Sequence, residues 1–149
     1  DNLVWEAFTQ LQFDQILRIQ RRWLLGTGLR FDLRSSPSDE VHLGISYMYE
    51  YEQEKDTSVF HRDSRLSSYL SVKKKFSEHV SLSMISYYQP RFDLFSDYRL
   101  SLGTGLGFKI AENLSFVLNI NLTYDAKPVI DEEINSLTYN IRNGISFKF

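Results

Sequence analysis

The 149-residue sequence predicts an all-β chain, a single domain over residues 1–149 folded as an eight-stranded, antiparallel, up-and-down transmembrane β-barrel. Three observations carry that expectation. Apolar residues recur with a period of two, the alternating segments outrun ordinary globular strands, and the links between them are alternately short and long.

The alternation defines the elements in order. A strand sends successive side chains to opposite faces, so an oily parity and a polar parity identify it. Residues 3–15 set Trp5, Leu11 and Phe13 against Glu6 and Asp14. Residues 23–34 set Trp23, Leu25, Leu29 and Phe31 against Arg30 and Asp32, and residues 41–53 set Leu43, Ile45 and Tyr47 against Glu50 and Glu52. In 62–76 the oily parity is Leu66, Leu70 and Val72, and the polar one holds Arg65, Lys73 and Lys75. Segment 80–90 carries Leu82 and Met84 on its oily side. The clearest case is 98–110, where Tyr98, Leu100, Leu102, Leu106, Phe108 and Ile110 oppose Arg99, Ser101, Gly103, Gly105, Gly107 and Lys109. Segment 114–125 repeats the pattern with Phe116, Leu118 and Ile120 against Asn119, Asn121 and Asp125; segment 136–149 closes it with Ile141 and Ile145 against Arg142 and Lys148.

Most of these segments are long enough for the roughly 9–11 residues that a tilted membrane strand requires. Short links at 35–40, 77–79 and 111–113 alternate with longer ones at 16–22, 54–61, 91–97 and 126–135. Outer-membrane barrels have short periplasmic turns and longer external loops, which predicts both chain ends in the periplasm. The start, Asp1-Asn2-Leu3, carries no signal peptide, and for an exported protein a leader is expected to have been removed.

Composition agrees with a barrel and excludes several alternatives. Hydrophobic residues make up 42% and no run approaches the roughly 18 apolar residues of a membrane helix, so a helical membrane protein is excluded. There are no cysteines, which removes disulfide frameworks and thiolate metal sites. A net charge of -2 offers no global field for nucleic acid.

The distribution of charge separates a membrane barrel from a soluble one. On the oily parity the one charge is Lys74, near the periplasmic end, where it can snorkel at a cost of about 0–1 kcal/mol. The polar parity gathers Glu6, Asp14, Arg30, Asp32, Glu50, Glu52, Arg65, Lys73, Arg99, Lys109, Asp125 and Arg142. Because an eight-stranded interior is just wide enough for side chains, these predict a lumen plugged by ion pairs. Aromatic residues fall at both expected interfaces: Trp23, Tyr49, Tyr51, Tyr88, Tyr98, Tyr124 and Tyr139 externally, and Trp5, Phe108, Phe147 and Phe149 on the periplasmic side. The last strand ends Ile145-Ser146-Phe147-Lys148-Phe149, which resembles the C-terminal signature read by the barrel-assembly machinery.

Several motifs resemble one bacterial family. They are Gly26-Thr27-Gly28-Leu29-Arg30, Asp63-Ser64-Arg65, Tyr87-Tyr88-Gln89-Pro90, Ser96-Asp97-Tyr98-Arg99-Leu100 and Tyr124-Asp125-Ala126-Lys127-Pro128. Together they look like the salt-induced outer-membrane proteins, whose domain has no known function. The likeness spans about two-thirds of the chain. It implies a Gram-negative outer-membrane barrel and supplies no catalytic residues.

Candidate chemistry is sparse. His61, Asp63 and Ser64 crowd one strand end, but strand neighbours diverge, so a hydrolytic triad is disfavoured against a solvated loop closed by Arg62–Asp63 pairing. His42 is expected to hydrogen-bond within the lumen, and the three scattered histidines predict no metal site and no cofactor. Glu50 and Glu52 can bind a cation or, facing Arg65 and Arg99, form ion pairs. The run Gly103, Gly105, Gly107 lies inside a strand with no helix after it, so it reads as room for bulky lumen side chains or a strand bend.

Two loops are oilier than water-facing loops need be: Ile16, Leu17 and Ile19 beside Arg21 and Arg22, and Phe92, Leu94 and Phe95. Either the strands extend further, or the loops pack over the mouth, or they dock another outer-membrane protein or lipopolysaccharide. The expected partners are outer-membrane lipid and lipopolysaccharide, the assembly machinery, and a larger outer-membrane complex. The reading is a non-enzymatic structural, envelope-adaptation or accessory barrel. A lipid-modifying outer-membrane enzyme and a soluble lipocalin-like binder are the alternatives.

Overall fold

A computed structural model describes residues 2–14, 19–54, 58, 60–127 and 136–148. Strict alternation with few ladder-breaking prolines gives strands throughout: Pro37 sits in a turn and Pro90 ends a strand, where a missing N–H costs least. The strands are β1 (Leu3–Asp14), β2 (Ile19–Ser35), β3 (Asp39–Glu54), β4 (Phe60–Lys75), β5 (Val80–Pro90), β6 (Tyr98–Ala111), β7 (Leu114–Asp125) and β8 (Leu137–Phe147). They form one antiparallel sheet in chain order, β1 to β8, with no helix among the described residues. The long links therefore share one end of the sheet, the loop end, and the short ones share the other, the turn end.

Register follows the alternation. Leu102 lies opposite Leu122 and Leu106 opposite Leu118, while Gly103 faces Asn121 and Gly105 faces Asn119. Shifts at Gln12/Asp14, Ile19/Arg21, Asp32/Arg34 and Lys109/Ala111 mark local irregularities near strand ends. One of them explains a boundary difference. Residues 19–22, expected in a loop, belong to β2, because the charged Arg22 points inward and the shift beside it breaks the simple parity.

The sheet is curled, with its polar face concave. Tyr69 of β4 donates to Glu6 of β1 at 2.8 Å, and Arg99 of β6 donates to Glu50 of β3 at 2.7 Å, contacts that only curvature allows between strands that are not neighbours. The sheet is not closed, contrary to the barrel expected from sequence. Among the described residues no pairing joins β1 to β8. The physical reason lies in β8, whose residues are exposed along its whole length. Its inward side chains are Asn140, Arg142, Gly144 and Ser146, and the described bonds of that row stay local, Arg142 donating to Asn140 at 2.8 Å. Nothing there reaches across the concave face as Glu6 and Arg99 do.

Burial is inverted relative to a water-soluble sheet. Ile19 and Met48 are the buried hydrophobic residues among those described, whereas Arg65, Glu50 and Glu52 are 2%, 1% and 2% exposed. On the convex face Trp5 is 70%, Tyr139 72% and Ile145 73% exposed.

Candidate functional site

The concave face is the candidate site, and its densest part lies toward the loop end. Glu50, inward on β3, collects three guanidinium groups from three other strands. Arg99 Nη1 lies 2.7 Å from one oxygen, Arg65 Nε donates at 3.0 Å to the other, and Arg22 Nε lies 3.0 Å away. Arg22 also donates to Glu52 at 2.6 Å, and Arg99 reaches on to Asp125 of β7 at 2.8 Å. A further carboxylate, Asp97, comes from the link before β6 and accepts from Arg65 Nη2 at 3.1 Å. A buried network of this kind fixes register and partner choice more surely than it adds stability. One atom is left over: Glu52 Oε1 is buried with no hydrogen-bond partner among the described residues.

Nearer mid-sheet a second, smaller cluster ties β1 to β2, β3 and β4. Glu6 accepts from Arg30 at 2.9 Å and from the Tyr69 hydroxyl at 2.8 Å; Arg30 donates to Asp32 at 2.8 Å, and His42 Nδ1 sits 2.6 Å from the same carboxylate oxygen. Two glycines make room for large side chains on this part of the concave face. A Cβ on Gly44 would overlap the Tyr69 ring and one on Gly26 would overlap Phe8.

The glycine run read as room for bulky side chains is different in kind. Gly103 lies beside Ile85 and Asn121, whereas the neighbours of Gly105 are Ser83 and Asn119 and that of Gly107 is Ser81, so small polar groups surround most of the run. The bulky guests lie over β2 and β3.

Of the other residues expected in the lumen network, Lys73 pairs with Glu40 at 3.0 Å. Lys109 is exposed and Arg142 bonds only its neighbour Asn140 among the described residues, so neither joins an ion pair there. The cause is register: Lys109 faces Ser115 and Arg142 faces Asn119, which carry no charge. The side chain of Asp14 lies outside the described residues. Sequence reasoning missed Arg22, Asp63, Tyr69, Arg91 and Asp97 as members. Parity marks Arg22, which shares its face with Arg30, and Asp63 and Tyr69, which share theirs with Arg65; Arg91 and Asp97 depend on the fold of a loop.

Of the crowded His61, Asp63 and Ser64, the last two diverge to opposite faces. Ser64 faces outward and shares a hydrogen bond with the Tyr47 hydroxyl at 2.8 Å, whereas Asp63 lies 3.4 Å from Arg91. Arg62, expected to pair with Asp63, instead lies over the Tyr51 ring at 5.8 Å. Among the described residues no cluster of His, Asp or Glu is suited to a metal ion.

The convex face carries aromatic contacts near the loop end. Tyr88 and Tyr98 lie 5.8 Å apart, Tyr98 and Tyr124 5.9 Å, and Tyr51 and Phe60 5.8 Å. Trp23 donates to Thr9 at 2.8 Å, and Tyr49 and Tyr139 are exposed on the same face. Toward the turn end Phe108 and Phe116 are 6.2 Å apart, Trp5 and Phe147 are exposed, and Lys74 lies 5.5 Å over the Phe76 ring. Phe149 lies outside the described residues.

Of the residues expected to contact a partner, Ile16 and Leu17 lie outside the described residues. Ile19 and Arg22 are buried in β2, and Arg21 is exposed. The link 91–97 continues the wall beside β4: Phe92 N donates to Ser64 O at 3.0 Å and its ring stacks on Tyr47 at 5.9 Å. Phe92, Leu94 and Phe95 remain exposed. Arg91 faces the other way and clasps Asp93 at 2.6 Å, which lowers the Asp93 carboxyl below its ordinary range and raises the Arg91 guanidinium.

No curated protein and no solved structure matches the chain. A family model does, over residues 1–147, and on that match the chain belongs to DUF481, a family of proteins of unknown function.

Proposed function

We propose that this protein is a small β-barrel of the bacterial outer membrane, of the salt-induced outer-membrane kind, in which β1 pairs with β8 to close the sheet. The loop end faces outward, the turn end and both termini face the periplasm, and the charged interior is plugged. Its role is structural or accessory within the envelope.

The observation that carries the reading is the inversion of burial. Three charged side chains at most 2% exposed occupy the concave face, while Trp5, Tyr139 and Ile145 stand at least 70% exposed on the other. In water such an apolar face is an aggregation hazard; against acyl chains it is the favourable arrangement. Strand lengths from 11 to 17 residues meet or exceed the roughly 9–11 that a tilted span needs. The tyrosine contacts near the loop end fit an interfacial girdle. A lipocalin-like cavity calls for an apolar concave face, and the charge of this one argues against that alternative.

Lipid is the partner for the convex face. Exposed Arg21 and the Phe92–Phe95 segment suit lipopolysaccharide or a larger outer-membrane protein, and insertion relies on the assembly machinery. The test is expression with an export leader in a Gram-negative host, followed by membrane fractionation. The protein is expected in the outer membrane and extractable only with detergent. Recovery in the soluble periplasm as a monomer would overturn the reading.

A further inference from the structure

The concave face also holds a cleft of about 400 Å³ at the turn end, bounded by the β2–β3 turn, by Glu40 at the start of β3 and by residues of β4 to β7. Register lays its lining out in two rows. Lys75 faces Ser81, which faces Gly107; Lys73 faces Ser83, which faces Gly105, then Asn119, then Arg142. Lysines stand on one side of the cleft, small polar groups form its floor, and a guanidinium lies on the strand beyond.

Charge in this region is unbalanced. Lys73 shares Glu40 at 3.0 Å, but Lys75, Lys109 and Arg142 meet no carboxylate among the described residues. The loop-end cluster, by contrast, pairs each of its arginines. The glycines have a matching geometry: a Cβ on Gly105 would lie 2.7 Å from Ser83 Oγ, and one on Gly107 would lie 2.7 Å from Ser81 Oγ. Bare backbone at these two positions leaves both hydroxyls open to the cleft. Hydroxyl donors beside ammonium groups are the chemistry that recognises phosphoryl oxygens.

We propose that this cleft is an oxyanion site that takes a phosphate group, with Lys75, Ser81 and Ser83 as its direct ligands and Lys73 and Arg142 adding charge. The phosphate belongs either to a lipid headgroup or to a free phosphate compound. The site depends on the concave face alone and stands whether or not the membrane placement does.

The test uses the full chain in a phosphorus-free maltoside detergent. Binding of inorganic pyrophosphate and of dihexanoyl phosphatidylglycerol is measured by calorimetry for the parent, Lys75→Gln, Ser83→Ala and Gly105→Val. Lys127→Gln, at the loop end, is the control. Affinity is expected to fall at least tenfold in Lys75→Gln and Gly105→Val, to weaken as salt rises, and to stay unchanged in the control. Pyrophosphate binding alone identifies a free phosphate as the ligand, and lipid binding alone identifies a headgroup. Binding of neither probe, or affinities that Lys75→Gln and Ser83→Ala leave unaltered, overturns the proposal.

Discussion

Asp97 holds two arginines at once: Oδ1 accepts from Arg65 Nη2 at 3.1 Å and Oδ2 lies 3.2 Å from Arg91 Nη1. Arg65 is 2% exposed and inward on β4, whereas Arg91 begins the link 91–97. One carboxylate thus fastens that link to the concave cluster, and Phe92 is turned outward onto Tyr47 as a consequence. Asp97→Ala leaves a buried guanidinium short of a partner, which typically costs about 3–5 kcal/mol. The expected outcome is a lower urea midpoint in detergent together with new proteolytic cleavage within 91–97.

Glu50 and Glu52 are expected to differ sharply. Glu50 neutralises Arg22, Arg65 and Arg99, all within 3.0 Å, so Glu50→Gln removes the charge on which three guanidinium groups converge. Glu52 has one oxygen, Oε1, without a partner among the described residues, and Glu52→Gln puts less at risk. Equilibrium unfolding should show a loss of about 3–5 kcal/mol for the first, by the rule for broken buried pairs, and a clearly smaller loss for the second. Equal losses would mean that the two carboxylates act as one unit.

Much of this site was legible from parity. Glu50, Glu52, Arg65, Arg99 and Asp125 fall on one face because a strand alternates, and no tertiary information is needed to group them. Parity does not say which of them touch. Lys109 and Arg142 have the right parity and still pair with no carboxylate among the described residues, because their neighbours in register are Ser115 and Asn119. Arg22 was read as loop because a register shift at Ile19/Arg21 hides the start of β2. The Glu6–Tyr69 contact spans strands that are not neighbours, so it follows from curvature, which alternation does not encode. Closure is not legible for a related reason: the rule of even strand number says that β1 and β8 can pair, not that their side chains draw them together.

Glycine substitutions should separate filled from empty parts of the concave face. A side chain at Gly44 collides with the Tyr69 ring and would push its hydroxyl off Glu6, whereas Gly144 has nothing within 4 Å. Gly44→Val is expected to destabilise by about 1–3 kcal/mol, the usual range for overpacking. Gly144→Val is expected to be near neutral or mildly stabilising through strand propensity. Denaturant midpoints of the two variants measured side by side check this.

The Arg91–Asp93 clasp gives a pH dependence with a defined sign. Hydrogen bonding to Arg91 lowers the Asp93 carboxyl, so the clasp is fully present above the ordinary carboxylate value of about 3.9 and is lost as pH falls through the lowered one. Acid-stable protease digestion should therefore leave the link 91–97 intact at pH 5 and cut it at the acid end. Asp93→Asn should remove the difference. Cleavage that begins already near neutrality would assign the change to another group.

Closure of β1 on β8 is the step that turns a curled sheet into a barrel, and the sequence permits a clean test because it contains no cysteine. Both edge strands present apolar residues outward, Trp5 and Leu11 on β1 and Tyr139 and Ile145 on β8, so a closed seam would continue the convex apolar face without a break. Two unpaired sheet edges in a bilayer would leave backbone N–H and C=O groups without partners, at several kcal/mol for each group. In the proposed placement a bilayer would therefore supply a drive toward pairing that water does not. Single cysteines at Ala7 or Thr9, combined with one at Ile141 or Asn143, scan the mid-strand register across the seam. In outer-membrane preparations one of these combinations is expected to form an intramolecular disulfide, and in urea none should. If no combination crosslinks within one chain while the same pairs crosslink between chains, β1 and β8 belong to different copies, and the barrel is built by more than one protomer.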